Sequence, residues 1–445
     1  MYNLKRFVFQ NIKKNIPNSV NDLVIKLNNN PSLIFGAEYK NYLKKLTHHN
    51  GINPNLEKDI LKVVNFTINN SPYYKKYYKD KKISSIEGFK NTIEPINKQI
   101  VLDNFNDFIV NSSNCDLVTT GGTSGRPLSL FLPKNRFVTE LATLHYVWNQ
   151  IGYNFSSRAV IRNEKLSNGK NFIINPISKE YIFDGFKLND EYFEIIYKTL
   201  KTKKIEYIHG YTSNLFLFGK FLIKTNKDYS FIKGLFTSSE NVTQLMEDFF
   251  IKTLKIPHIN FYGHSEKLVF GAYCKGTSNY HIDPFYGYTE ILNDNNMESS
   301  FGEITGTTLH NLNMPLLRYK TGDYAEVNSG NCSSCGFNGL ILNKIHGRWD
   351  GSRIYNKDGT FVTTTALNLH NDIYYKIDGI QYYQETKGVL EVRIIKRDNF
   401  DENTKIALKK ILKLKFNKDL KLEIVSVDTL EKKPNGKFLV LISKI

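Results

Sequence analysis

From Asp116 onward the chain alternates short β-rich runs with amphipathic helical stretches, and this alternation limits the fold more than any other feature. The runs CDLVTT, SRAVIRN, KIEYIHG, FIKGLFTSS and IPHINFYG are separated by Gly, Ser and Asn, with FVTELATLHYVWNQIG and NVTQLMEDFFIKTL as helical stretches among them. Strands that alternate with helices build parallel α/β sheets. Upstream, residues 1–115 read as mostly helical, with turn signals at 50–53 and 71–72. A β-rich section follows the alternating one (GYTEILN, FGEITGTTL, RYKTGDYAEV). After Gly347 about a hundred residues of α+β pattern remain, an ordinary domain size. There GIQYYQETKGVLEVRIIK reads as a hairpin, ENTKIALKKILKLKF as a helix and KLEIVSV as a strand. The expected class is α/β. A large domain at 1–346 combines a helical part (1–115) with parallel α/β sheets and a β-rich subdomain (116–346), and a small α+β domain follows.

The 445 residues leave room for two or three domains, and 41% hydrophobic with 23% charged residues is ordinary for a soluble protein. A net charge of +17 raises nucleic acid or an anionic membrane as a partner. The cations, however, are nearly all lysines scattered among Asn and Ile, a pattern that suits a coding bias as well as a basic face. Such a field would gather any anionic substrate, so charge does not separate the function classes. Lys and Gln interrupt the N-terminal residues too often for a signal peptide, and no run approaches the ~20 apolar residues of a membrane span. Four cysteines in this length make no disulfide framework. A cytoplasmic protein with no nucleic-acid partner is expected; nothing sets an oligomeric state.

The most informative stretch is VTTGGTSGRP at 118–127, a strand running into a loop of Thr120, Gly121, Gly122, Thr123, Ser124 and Gly125, then Pro127. Triphosphate oxygens need backbone N–H groups and hydroxyls at close range, and glycine supplies the angles and clearance. The loop lacks the Gly-Lys-Ser/Thr ending of a P-loop, and Pro127 is ill placed for a dinucleotide helix start. The order Thr-Gly-Gly-Thr-Ser-Gly-x-Pro resembles the phosphate-binding signature of the adenylate-forming (acyl-CoA synthetase) superfamily. Further segments resemble that superfamily in its own order: Ser238-Ser239-Glu240; Tyr262-Gly263-His264-Ser265-Glu266; Arg318-Tyr319-Lys320-Thr321-Gly322-Asp323, with Lys320 where Arg is usual; Gly347-Arg348-Trp349-Asp350; and Pro434-Asn435-Gly436-Lys437. The run Ser71-Pro72-Tyr73-Tyr74, then Pro95-Ile96-Asn97-Lys98, and Trp148-x-x-x-Gly152 are similar to the phenylacetate–CoA ligase branch, whose relatives occur in bacterial polysaccharide clusters.

The resemblance implies ATP-dependent adenylation of a carboxylic acid with release of pyrophosphate. The nucleophile is already ionised, since carboxyl groups titrate near ~4. The site must therefore orient two anions and relieve their repulsion rather than supply a base. Lys437, a compact ammonium, would bridge carboxylate and α-phosphate. Glu266 would ligate Mg²⁺, which takes one or two carboxylates plus phosphate oxygens. Thr119, Thr120 and Thr123, with Gly121, Gly122, Ser124 and Gly125, would cradle the phosphates. Ser239 and Glu240 would flank the adenine, Tyr262 would stack on or flank it, Gly263 and Ser265 would belong to the same nucleotide site, Asp323 would take the ribose hydroxyls, and Arg348 would contact ribose or phosphate. Trp148, Ser238 and His264 would line the acyl pocket. The resemblance also implies a hinge at 347–352 centred on Asp350, and makes 353–445 a mobile lid.

Cys332-Ser333-Ser334-Cys335 is a C-x-x-C turn, and with Cys274 and His281 it makes a Cys₃His set suited to structural zinc. A redox pair or unrelated thiols are the other readings. Three functions remain open. In the first, the acyl group of a small acid passes to CoA; in the second, to an amine, as an amide ligase in polysaccharide or secondary-metabolite synthesis. In the third, the chain is a non-catalytic, zinc-stapled basic binding protein.

Overall fold

The computed structural model describes residues 18–27, 30–47, 49–119, 128–162, 166, 169–185, 187, 189–240, 242–346, 353–359, 361–363, 373, 376–416, 419–432, 439 and 441–445. They fall into two compact units, 1–239 with 254–345 and 240–253 with 346–445. The segment 240–253, which its sequence position assigned to the large domain, groups with the C-terminal unit. Its helical pattern is realised as an α-turn at Gln244–Asp248 followed by a π-helical turn at Phe249–Leu254. The expected hinge at 347–352 lies outside the described residues.

The helical part of the first unit starts its helices with side-chain caps. Ser85 accepts the Gly88 N–H and Asn97 the Ile100 N–H, each satisfying a donor that the first turn leaves open. Ile60, Val64, Tyr74, Phe89 and Phe108 bury themselves here against Leu316, Leu317 and Tyr319 of the β-rich section. Arg318 ties the two parts. Its guanidinium forms a buried pair with Glu290 at 2.9 Å and donates to the carbonyls of Lys90 and Ile93 at 2.5 and 2.8 Å.

Among the described residues the unit is built on a twelve-stranded sheet. Its parallel part runs in space Glu180–Asp184, Arg158–Arg162, Tyr207–Tyr211, Gly234–Ser238, His258–Gly263. Nearly every residue of Arg158–Arg162 and Gly234–Ser238 is buried, as in a sheet covered on both faces. The helices Arg136–Asn149, Asp190–Lys203 and Thr212–Lys224 interleave with these strands in the chain. Phe270–Tyr273 joins His258–Gly263 antiparallel, and the β-rich strands extend the sheet from there. The strand Cys115–Thr119 stands apart. It pairs antiparallel with Ser129–Pro133 in its own two-stranded sheet, with Thr119 opposite Ser129.

The second unit carries a four-stranded sheet in the order Lys421–Ser426, Val389–Lys396, Ile377–Gln384, Leu441–Ser443. The helix Glu402–Lys413 is capped by Asp401, which accepts the Thr404 N–H at 2.8 Å. Its Leu408 and Leu412 are buried with Val392, Ile394, Leu422 and Ile424.

Candidate active site

The fold brings two of the sequence segments together, although their strands are not neighbours in the sheet. Residues 262–266 close the last parallel strand, where open α/β sheets bind their ligands. Residues 319–323 open the strand Tyr319–Val327. The Tyr262 hydroxyl donates to Asp323 Oδ2 at 2.8 Å. Burial, then the Asp323 charge, pushes the Tyr262 phenol well above its ordinary range, so it remains a donor. The Tyr319 hydroxyl donates to Glu266 Oε1 at 3.2 Å, and His264 Nδ1 lies 3.0 Å from Glu266 Oε2. The Val269 N–H donates to His264 Nε2 at 3.3 Å. That nitrogen is thus the acceptor, and the ring proton sits on Nδ1 facing Glu266.

The Asp323 turn is held from behind. Gly322 has φ +78°, the left-handed region that favours glycine, and its N–H donates to Glu303 Oε1 at 2.8 Å. Lys320 lies 3.7 Å from the other Glu303 oxygen, and Thr321 donates to the Ile304 carbonyl while accepting the Asp323 N–H. Burial raises the Glu303 carboxyl, a cost that the Gly322 N–H and Lys320 offset. Glu303 was not singled out by sequence reasoning, and Tyr319 entered only as a member of the 318–323 segment with no role of its own. Glu303 belongs to no motif, because only strand pairing sets it behind the Asp323 turn.

Ser238 and Ser239 end the neighbouring strand with their hydroxyls 3.3 Å apart, and Ser239 takes φ +68°, unusual for a residue with a side chain. Glu240 belongs to the second unit, where it opposes the downward pull of burial on Lys432. Trp148 is fully buried and stacked on Phe236 at 4.4 Å. His264, expected at the acyl pocket, is hydrogen-bonded to Glu266. Thr120, Gly121, Gly122, Thr123, Ser124, Gly125, Arg348, Asp350 and Lys437 lie outside the described residues, as does the Thr119 side chain.

Glu266 suits Mg²⁺ chemically. A carboxylate has about four lone-pair sites, and each of its oxygens accepts a hydrogen bond while keeping capacity for a cation.

Cys274, His281, Cys332 and Cys335 converge, with one ligand atom from each lying within 4.8 Å of the others. Cys274 follows the strand Phe270–Tyr273, which pairs with His281's own strand, placing Tyr280 opposite Tyr273. The Cys332 carbonyl accepts the Gly336 N–H at 2.8 Å, closing the C-x-x-C turn, and Phe337 stacks on the His281 ring at 4.2 Å. Tetrahedral zinc with Zn–S of about 2.3 Å sets its ligand atoms roughly 3.8 Å apart, so the set needs little adjustment. Burial lowers His281 to about 4, keeping it neutral, and its Nε2 is buried without a hydrogen-bond partner among the described residues. Burial and the neighbouring thiols push Cys274 up to about 12, a cost that a bound cation removes.

No described helix is long and apolar enough to cross a membrane. No protein-family model matches the chain, and no curated protein sequence matches it. Solved structures do. A 2-hydroxyisobutyryl-CoA ligase in the postadenylation state with 2-HIB-AMP is 13% identical, with a TM-score of 0.65 over 88% of this chain and 91% of that one. The same ligase in an open conformation with 2-HIB-AMP and CoA gives 0.53 at 14% identity, over 87% and 90%. The anthranilate CoA ligase AuaEII with anthranoyl-AMP gives 0.51 at 15%, over 74% and 66%. By this likeness the chain has the fold of the adenylate-forming CoA ligases.

Proposed function

We propose that this protein is an ATP-dependent, AMP-forming ligase that adenylates a small carboxylic acid and passes the acyl group to CoA. The observation that carries the reading is the junction of two distant segments through Tyr262–Asp323 and His264–Glu266–Tyr319 at the ends of the sheet strands. In the first half-reaction a carboxylate oxygen attacks the α-phosphorus, and the bond to the pyrophosphate oxygen breaks. In the second, the CoA thiol attacks the acyl carbon and AMP leaves. Asp323 holds the ribose hydroxyls, Tyr262 fixes Asp323 while flanking the adenine, and Lys437 bridges the two anions. Mg²⁺ on Glu266 would neutralise phosphate charge. The sequence likeness to the phenylacetate–CoA ligase branch supports CoA rather than an amine as acceptor.

ATP–pyrophosphate exchange across a panel of carboxylic acids tests the first step, and adding CoA and then amines to an active pair tests the second. Lys437→Ala should lower exchange by about 10²–10³-fold, the loss typical of one preorganised group that stabilises transition-state charge. An unaffected variant removes Lys437 from the reaction, and a chain that exchanges with no acid is not a ligase.

Structural zinc on Cys274, His281, Cys332 and Cys335 staples the β-rich section in this reading. Metal analysis should return a single zinc per chain, and its removal should lower the melting temperature by roughly 5–15 °C. A metal-free preparation that melts like the untreated protein would rule zinc out.

A further inference from the structure

We propose that the acid this protein activates carries a neutral, hydrogen-bond-accepting oxygen on its tail, received by a ring of unpartnered buried nitrogens around Trp148. The proposal rests on the ligase reading and adds a substrate class to it.

Trp148 is fully buried, and three nitrogen-bearing side chains surround its ring. The Arg158 guanidinium lies 4.9 Å from it, His209 5.3 Å and His145 6.0 Å between centroids. Trp148 Nε1, Arg158 Nε, His209 Nδ1 and His145 Nε2 are all buried, and none has a hydrogen-bond partner among the described residues. The remaining nitrogens of Arg158 are engaged. Nη1 donates to the Tyr153 hydroxyl and the Ser178 carbonyl, and Nη2 to Glu180 at 2.5 Å. His145 Nδ1 likewise meets the Tyr39 hydroxyl at 2.8 Å. Arg158 and His145 are thus bonded through their other nitrogens, while Arg158 Nε and His145 Nε2 keep their capacity. Native interiors leave few buried polar atoms unpaired, so four around one ring mark a place for a polar occupant.

The donor types say what that occupant is. Trp Nε1 and Arg Nε donate only, so they call for acceptor oxygens. Burial brings His209 down to about 3 and lowers His145 as well, leaving both rings neutral, while Glu180 faces the Arg158 charge. The ring therefore favours a hydroxyl, oxo or amide oxygen over a second carboxylate.

Its position suits the tail of a small acid. His209 pairs in register with Phe236, and two residues further along the same face Tyr211 pairs with Ser238, which pairs with Phe261. That step is about 7 Å along a strand. It leads from the nitrogen ring to the strand ends where Ser238 and Tyr262 stand. The Thr212 hydroxyl and the Asn214 amide, in the first turn of the helix after His209's strand, are also buried without partners among the described residues.

The test is pyrophosphate exchange with acids paired to differ by one tail oxygen, such as 4-hydroxyphenylacetate with phenylacetate and 4-hydroxybutyrate with butyrate. The oxygenated member should lead in kcat/KM by about 10²-fold or more, because a site built to bond an oxygen rejects the analogue that lacks it. Trp148→Phe keeps an aromatic ring against Phe236 and removes one donor, so it should cut that ratio by about tenfold. His209→Phe, an independent probe should the first variant fold poorly, should do the same. Equal or better turnover of the oxygen-free acids, or a ratio unmoved by both variants, means that the ring holds only water and overturns the proposal while leaving adenylation standing. Exchange with no member of the panel removes the ligase reading and this proposal together.

Discussion

Glu266→Gln is expected to lower ATP–pyrophosphate exchange by about 10²-fold or more and to weaken the Mg²⁺ dependence of what remains. The substitution isolates charge from shape. Glutamine fills the same volume, its oxygen can accept the His264 Nδ1 proton, and its amide can turn to the Tyr319 hydroxyl, so both contacts survive in altered polarity. The negative charge that would hold the cation does not survive. A structural role alone would therefore leave exchange near the wild-type rate and show itself in the melting temperature. The decisive measurement is exchange rate against Mg²⁺ concentration at saturating acid. Wild-type kinetics in the glutamine variant would take Glu266 out of the metal site.

The second large effect is acid unfolding. Burial lowers His209, His258 and His310 to about 3 from an ordinary value of 6.5. Their neutral forms are structurally committed: His258 Nε2 lies 2.6 Å from the Thr237 hydroxyl, and His310 Nε2 donates to the Phe285 carbonyl at 2.7 Å. Below pH 6.5 the unfolded chain takes up protons that the folded chain refuses, so the stability of these sites is complete above that pH and falls as pH drops toward 3. Each histidine loses about 1.4 kcal/mol per pH unit, or about 4 kcal/mol per pH unit for the three, an upper bound because each residue is only partly buried. A typical reserve of about 5–15 kcal/mol would be spent by roughly pH 4. Far-ultraviolet circular dichroism against pH should show the loss of structure between about pH 6 and 4. A native spectrum at pH 3.5 would refute the mechanism.

The arrangement of elements was readable because it rests on local patterns. The runs around Tyr207–Tyr211, Gly234–Ser238 and His258–Gly263 announce buried strands, and those strands lie side by side in one parallel sheet. Cys115–Thr119 reads as a strand by the same criteria, yet pairs in a separate two-stranded sheet, because propensity states that a segment is extended and not which partner it takes. Cys274, His281, Cys332 and Cys335 were legible as a set from residue type and the tight C-x-x-C spacing, and the sheet brings them within ligand distance.

The wiring of the candidate site was not legible. Tyr262 and Asp323 are 61 positions apart and lie on strands that are not neighbours in the sheet, so only the tertiary fold creates their hydrogen bond. His264 turns to Glu266, a choice set by the Val269 N–H that occupies its other nitrogen. His209 carries no signal in its own segment, and only its place 5.3 Å from the Trp148 ring makes its unpaired nitrogen meaningful. By itself the sequence determined the α/β class and the residue types available for chemistry, since periodicity and side-chain identity are properties of neighbours along the chain. The tertiary structure alone decided which of those residues meet, because strand register and burial are set by contacts between residues far apart in the chain.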